Sequence, residues 1–212
     1  MDFVAKAAET VKRVLELENL DNTSWTKVKE TKDCTVYSRP SDDFKGHNLY
    51  KAEGIIPAAA DKVFAFAYPG VERPRRKEWD SSITDSRVIE KPTPDIDIIL
   101  SHTAPALMGI ISAREFVDLI KVTSEPDRIF TAAVSIDHPN IPHSKNHVRG
   151  FNYPQSIFCY RIPGKPNETR FVQYVQTDLR GMLPSSAVES AIPSAMANTY
   201  PQLKTAIAKD AN

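Results

Sequence analysis

The side chains best equipped for chemistry in this sequence are five histidines, His47, His102, His138, His143 and His147, and two cysteines, Cys34 and Cys159. His143 and His147 have the i, i+4 spacing that, on a helix, aims two imidazoles at one zinc ion. The intervening Ser-Lys-Asn and the neighbouring prolines oppose a helix there, so HPNIPHS (138–144) reads as a surface loop with solvated histidines and no metal is expected. Cys159 lies in the apolar strand run SIFCYRI, a setting for a buried, inert thiol, because a nucleophilic cysteine needs an electropositive and partly open pocket. Arg114-Glu115 and Asp178-Arg180 read as ion pairs at strand ends. Glycine-rich phosphate cradles, nucleophile elbows and paired His-Glu zinc motifs are absent from the sequence. The expectation is a protein that is not an enzyme and takes no cofactor.

Composition narrows the partners. Lys plus Arg equals Asp plus Glu at 27 each, so the net charge is zero and no broad field exists to gather phosphates. Nucleic acid is not an expected partner. At 212 residues the chain suits one domain, 1–212, with one core. Asp2, Lys6, Glu9, Lys12 and Arg13 interrupt the apolar run that an export signal requires, and the two cysteines lie far apart. No stretch approaches the roughly 18 apolar residues that would span a bilayer. A soluble, cytoplasmic monomer is expected.

The few reactive groups must be held by a chain whose hydrophobic period changes along its length. Residues 3–20 place Phe3, Val4, Ala7, Ala8, Val11, Val14 and Leu15 near one face of an amphipathic helix. From Trp25 the period shortens: two strands flank Glu30 to Asp33, and NLYKAEGII adds a third, making an antiparallel meander. AADKVFAFAYPG reads as a second helix stopped at Pro69-Gly70, followed by the charged loop VERPRRKEWD. Strand patterns then succeed one another: SSITDSRVIEK, DIDIILSHT, REFVDLIKVT, RIFTAAVSI, HVRGFNY, SIFCYRI and TRFVQYVQTDL. A last helix, about 185–209, carries Val188, Ile192, Met196, Tyr200, Leu203 and Ile207 as one stripe straight through Pro193 and Pro201. The fold class is α+β, with one face of an antiparallel sheet covered by that helix.

Two features suggest that the space between sheet and helix is not filled. The connection Ala104 to Ala113 holds Leu107, Met108, Ile110 and Ile111 with Gly109 as a pivot, whereas hairpin connections are usually short and polar. A long apolar connection must pack on a core or cover an opening. RIFTAAVSI puts Thr131, Ala133 and Ser135 on one face, and the last helix offers Ala187, Ala191, Ala195 and Thr199 beside its larger stripe. Unfilled space costs about 24 cal/mol per Å³, so a persistent gap points to a ligand.

The ordered blocks TKDCTVYSRPSDDF (31–44), NLYKAEGII (48–56), Trp79-Asp80, ISAREFVDL (111–119), VRGFNYP (148–154) and QTDLRGMLPSSAVESA (176–191) resemble a START domain, the lipid-transfer module related to the steroidogenic acute regulatory protein. The sequence is most similar to the small, soluble, single-domain sterol carriers of that family. The resemblance implies a helix-grip fold, a curved antiparallel sheet wrapped around a long kinked C-terminal helix with an internal hydrophobic tunnel. It implies a lid at Ala106, Leu107, Met108, Gly109 and Ile110, and a wall including Ser101, Thr103, Arg114 and Phe116. Helix positions facing the tunnel would be Val188, Ile192, Met196, Thr199 and Tyr200, with Thr131 and Ser135 as hydroxyl partners for the ligand. An acid and an arginine that some members hold inside the tunnel fall at Ser101 and Ile120, so that ion pair is missing. The implied function is an intracellular non-vesicular carrier that binds one sterol-like lipid, cholesterol or a related steroid, and transfers it between membranes through transient surface contact. The alternative cargo is another apolar small molecule such as a bile acid or carotenoid, carried or sensed.

Overall fold

The computed structural model describes residues 1–68, 70 and 75–210. The stop expected at Pro69 and part of the charged loop, 71–74, lie outside the described residues. Helix α1 spans Phe3–Glu18; Asp2 caps it, its Oδ1 accepting from the Val4 and Ala5 N–H groups at 3.0 Å each. The meander follows as β1 (Thr26–Glu30), β2 (Thr35–Pro40) and β3 (Asn48–Ile56). Two helices come next, α2 (Ala60–Ala67) and the single turn α3 (Arg76–Trp79). The longer run of strands is β4 (Ile83–Thr93), β5 (Ile96–Thr103), β6 (Arg114–Ser124), β7 (Arg128–Ser135), β8 (Val148–Arg149), β9 (Phe151–Asn152), β10 (Ser156–Ile162), β11 (Lys165–Val175) and β12 (Thr177–Asp178). Helix α4, Ser185–Lys209, closes the chain.

Among the described residues the main sheet runs β1-β2-β3-β11-β10-β7-β6-β5-β4, with β8 added in parallel to β6. All other pairs in it are antiparallel, and β9 pairs with β12 separately. The sheet curves around α4, the helix-grip arrangement. Pairing of β11 with β3 joins the N-terminal meander to the rest. That pairing brings Tyr50, Ala52, Ile56 and Phe171 to one face, where α4 supplies Ile192, Met196, Tyr200, Leu203 and Ile207.

The opposite face is covered as well, a departure from the single covered face read from the sequence. Val14 and Leu17 of α1 pack with Leu49, Phe130, Phe158 and Val172, and Ala7 with Ile98, Leu100, Val117 and Leu119. Full burial of alternate residues on both faces explains why β5 and β6 read as nearly continuous apolar runs.

Four local readings are corrected. HVRGFNY is two strands, because Gly150 lets the chain lie against the Phe116 ring and turn from β8 to β9. TRFVQYVQTDL breaks at Gln176, whose buried amide accepts from Ser41 Oγ at 2.6 Å and donates to Asp43 Oδ2 at 2.9 Å and to the Pro154 carbonyl at 2.7 Å. Part of the charged loop forms α3, with Arg76 bonded to Asp80 at 2.9 Å. His138 is buried rather than solvated: it stacks on Phe3 and lies 3.1 Å from Glu90. Both cysteines are free and buried, and burial pushes both thiols above their ordinary value.

Helix α4 continues through Pro193 and Pro201. Each proline removes an N–H, leaving the carbonyl four residues earlier without its intrahelical donor. For Pro201 that carbonyl is Ala197, and the buried Cys34 thiol lies 3.9 Å from it as a weak donor.

Candidate functional site

A cavity of about 280 Å³ separates the concave face of the sheet from α4, at the lower edge of the roughly 300–1,000 Å³ usual for small-molecule pockets. Its wall draws on widely separated segments: β4, β5, β6, β7, β10 and β11 on one side, Ile192, Ala195, Met196 and Thr199 of α4 on the other. Ser82 and Ala195 line it and are exposed, so it reaches the surface between the approach to β4 and α4.

Of the residues singled out from sequence, Ser101, Thr103, Phe116, Thr131, Ile192, Met196 and Thr199 are brought together on this wall. Register explains the grouping, since Ser101 faces Phe116 across the β5–β6 pair and alternation turns both inward. Ile120 shares that face, so the positions where an internal ion pair was sought are a hydroxyl and an alkyl group.

Other expected positions lie elsewhere. Ala106, Leu107, Met108 and Ile110 do not line the cavity. The loop closes on itself through Ala106 N–H to the Ile111 carbonyl at 2.8 Å, and Leu107, Met108 and Gly109 take φ of 48°, 55° and 91°. This left-handed run turns Met108 fully to solvent and leaves Ile110 exposed. Two non-glycine residues in that region cost about 1–3 kcal/mol each, a cost a plain turn does not need.

Arg114 is also off the wall. The residue is 2% exposed, yet among the described residues it pairs with no carboxylate. Nε donates to the Leu179 carbonyl at 2.9 Å, Nη2 to the Arg180 carbonyl at 3.1 Å, and Nη1 to Ser112 Oγ at 2.7 Å and to the Ser112 carbonyl. The expected Arg114-Glu115 pair does not form, because successive strand residues point to opposite faces; Glu115 pairs with Arg149 at 3.0 Å. Asp178 and Arg180 do meet, at 3.9 Å.

Tyr200 is fully buried in the core, its hydroxyl donating to the Phe171 carbonyl at 3.1 Å. Val188 is half-buried against the same core and does not line the cavity. Ser135 stands behind the wall, with Oγ donating to Asp118 Oδ1 at 2.7 Å and accepting from the Asn152 N–H at 2.8 Å.

That hydroxyl leads to the wall's most consequential group, which sequence reading missed. Asp118 is fully enclosed, lines the cavity, and also accepts from Asn152 Nδ2 at 2.9 Å. Burial raises its carboxyl to about 6, against the opposing pull of the Ser135 and Asn152 bonds. The signal lay in REFVDLI, where a period of two places Asp118 between Phe116 and Ile120 on the inward face. Ser86 was missed too. It lines the cavity opposite Ser101, and among the described residues its buried Oγ has no hydrogen-bond partner. A buried hydroxyl left unpaired costs about 1–3 kcal/mol, so a partner arriving with a ligand would remove a penalty.

This arrangement can enclose an apolar molecule and meet a hydrogen-bonding group at its Asp118 side. Among the described residues no helix is long and apolar enough to cross a membrane.

Comparison with known proteins agrees with the geometry. The START domain profile matches residues 6–209. The chain is 37% identical over 206 residues to StAR-related lipid transfer protein 5 of Bos taurus, covering 97% of this chain and 96% of that protein. It is 33% identical to StAR-related lipid transfer protein 4 of Homo sapiens, covering 97% and 98%. The solved structure of human StAR-related lipid transfer protein 5 superposes with a TM-score of 0.92 at 32% identity, covering 99% of this chain and 98% of that one.

Proposed function

The chain belongs to the START domain family, and on that footing we propose that it binds one sterol-like lipid, cholesterol or a related steroid, in the cavity under α4 and transfers it between membranes. The relatives' names as lipid transfer proteins support the class of activity. Burying on the order of 500 Å² of a rigid apolar ligand at about 25 cal/mol per Å² is worth roughly 12 kcal/mol before the cost of association. One hydroxyl hydrogen bond adds about 1 kcal/mol. Shape therefore sets affinity, and the polar groups set orientation.

The observation that supports a neutral cargo is Asp118. An enclosed carboxylate accepts a hydrogen bond from a neutral hydroxyl, whereas a ligand carboxylate would place two like charges in one low-dielectric site. A neutral hydroxylated lipid is favoured over a bile acid at neutral pH.

Delivery uses transient contact with a membrane surface. Met108, Ile110 and Met182 are exposed apolar side chains on two loops that Arg114 ties together. Insertion of their tips into lipid would loosen both loops and the start of α4. In this reading the cargo passes unaltered.

Native mass spectrometry of the freshly isolated chain, followed by competition between cholesterol and a bile acid, tests the reading. Co-purified neutral sterol, displaced by cholesterol and returned chemically unchanged, is the expected result. Preferential retention of the acid would overturn it, and an altered cargo would make the protein an enzyme.

A further inference from the structure

The outer side of the β5–β6 hairpin carries a second group of side chains. Alternation that turns Ser101 and Phe116 inward turns their neighbours His102 and Glu115 outward, where they are register partners. Parallel pairing of Arg114 with Val148 brings His147 over them. The His102 and His147 rings stack with centroids 4.4 Å apart. One ligand atom from each of His102, Glu115 and His147 lies within 4.8 Å of the other two.

No hydrogen bond joins His102 to Glu115: Nε2 and Oε2 are 3.6 Å apart, the distance of an ion pair when the imidazole is protonated, and the same two atoms are the ones turned toward His147. Glu115 and His147 each have an outer hydrogen-bond partner that leaves one ligand atom facing the cluster, while His102 has only the more distant Asp85 carboxylate behind it. Glu115 Oε1 accepts from the Ser144 N–H at 2.8 Å and Arg149 Nε at 3.0 Å, leaving Oε2. His102 Nδ1 is 3.9 Å from Asp85 Oδ2, and Asp85 is itself held by Lys77 at 3.1 Å; Nε2 remains. His147 Nδ1 is 3.3 Å from Ser144 Oγ, again leaving Nε2. Outer partners of this kind are what orient metal ligands.

We propose that His102, Glu115 and His147 form a binding site for one divalent transition-metal ion of the zinc class, held by two imidazole nitrogens and one carboxylate oxygen with a fourth position open to water. This donor set suits zinc and its borderline neighbours, whereas magnesium and calcium call for all-oxygen shells. Metal–ligand bonds of about 2.0–2.2 Å require the three atoms to close by roughly 1 Å, a movement that falls to the His147 side chain, just before β8. The Arg149 charge beside Glu115 holds affinity below that of four-ligand structural sites. His102 and Glu115 flank the connection 104–113, so an ion here clamps the base of that loop from outside the cavity. The site is independent of the lipid reading, since metal binding requires no cargo.

The test uses untagged, metal-stripped protein titrated with Co²⁺, read by visible absorption, and with Zn²⁺, read by calorimetry. One equivalent should bind, with Zn²⁺ displacing Co²⁺ and raising the melting temperature. His102→Gln and His147→Asn should each weaken Zn²⁺ binding tenfold or more. His143→Asn, altering an exposed histidine of the same loop, should leave it unchanged. Melts in chelator, matching wild type, show that the variants fold. Binding no tighter than that of the His102→Gln/His147→Asn double variant, or an equal loss in His143→Asn, would mean an adventitious ion only and would overturn the proposal.

Discussion

Arg114 Nε donates to the Leu179 carbonyl at 2.9 Å, so one buried guanidinium joins the start of β6 to the loop that enters α4. The same side chain holds Ser112, at the end of the exposed apolar loop. Two segments far apart in sequence are thereby fastened through one group, and neither can open without losing charge-assisted hydrogen bonds.

Replacing that fork should loosen both segments together. Lysine in Arg114→Lys has three donors on one compact ammonium and cannot reach four acceptors spread over Ser112, Leu179 and Arg180, and the loss should be about 2–4 kcal/mol of stability. Hydrogen exchange should accelerate in 106–112 and 179–183 in parallel. Acceleration in only one of the two segments would show that they are not coupled.

The exposed methionines should matter for transfer and not for binding. Met108→Asp combined with Met182→Asp should slow lipid transfer between liposomes about tenfold, equivalent to about 1.4 kcal/mol, while leaving lipid binding in solution unaltered. Unchanged transfer rates would remove these tips from the delivery step.

Asp118 should impose a pH dependence of definite sign. Its carboxyl titrates at about 6 in the fold against an ordinary 3.8, so the folded state holds the proton more tightly. Stability is undiminished below about pH 4, falls as pH rises through the window from 4 to 6, and stays lower above it, by roughly 3 kcal/mol. In Asp118→Asn that dependence should vanish. The melting temperature of the variant relative to wild type should shift upward by roughly 5–10 °C between pH 4 and pH 7; a flat difference would show that the group is ionised throughout.

Gly54 should tolerate no side chain. A Cβ there would meet the Asp33 carbonyl oxygen and stand 2.9 Å from the Tyr200 ring. Gly54→Ala should therefore cost about 1–3 kcal/mol, the usual range for overpacking, measured by denaturant melts. Pairing it with Tyr200→Leu should recover part of the loss only if the ring, and not the backbone oxygen, is the harder contact.

Much of the fold was legible because it depends on local period. NLYKAEGII is β3 from end to end, and the last helix occupies Ser185–Lys209 as the stripe through its prolines required. The wall was legible by two routes: Thr131 from the small face of RIFTAAVSI, and Ser101 and Phe116 from the family resemblance, all three lining the cavity. A resemblance carries a position over but not what stands opposite it in this chain. Hence Arg114 was placed on the wall although Leu179 and Arg180 claim it from 65 and 66 residues away. Hence too Tyr200 was assigned to a ligand although Gly54 opens a seat for its ring in the core. Asp118 was passed over because a lone acid in an apolar run looks like an interruption until Ser135 and Asn152 are seen to hold it.

The outermost strands have a consequence for life in a crowded solution. β4 has lost regular pairing at three points, between Ile83 and Asp85, Val88 and Glu90, and Glu90 and Thr93; β1 is short, lysine-bearing and irregular between Lys27 and Lys29. A second copy of the chain finds no straight ladder of amides to extend on either margin. The molecule can keep an open, curving sheet without growing into a fibre.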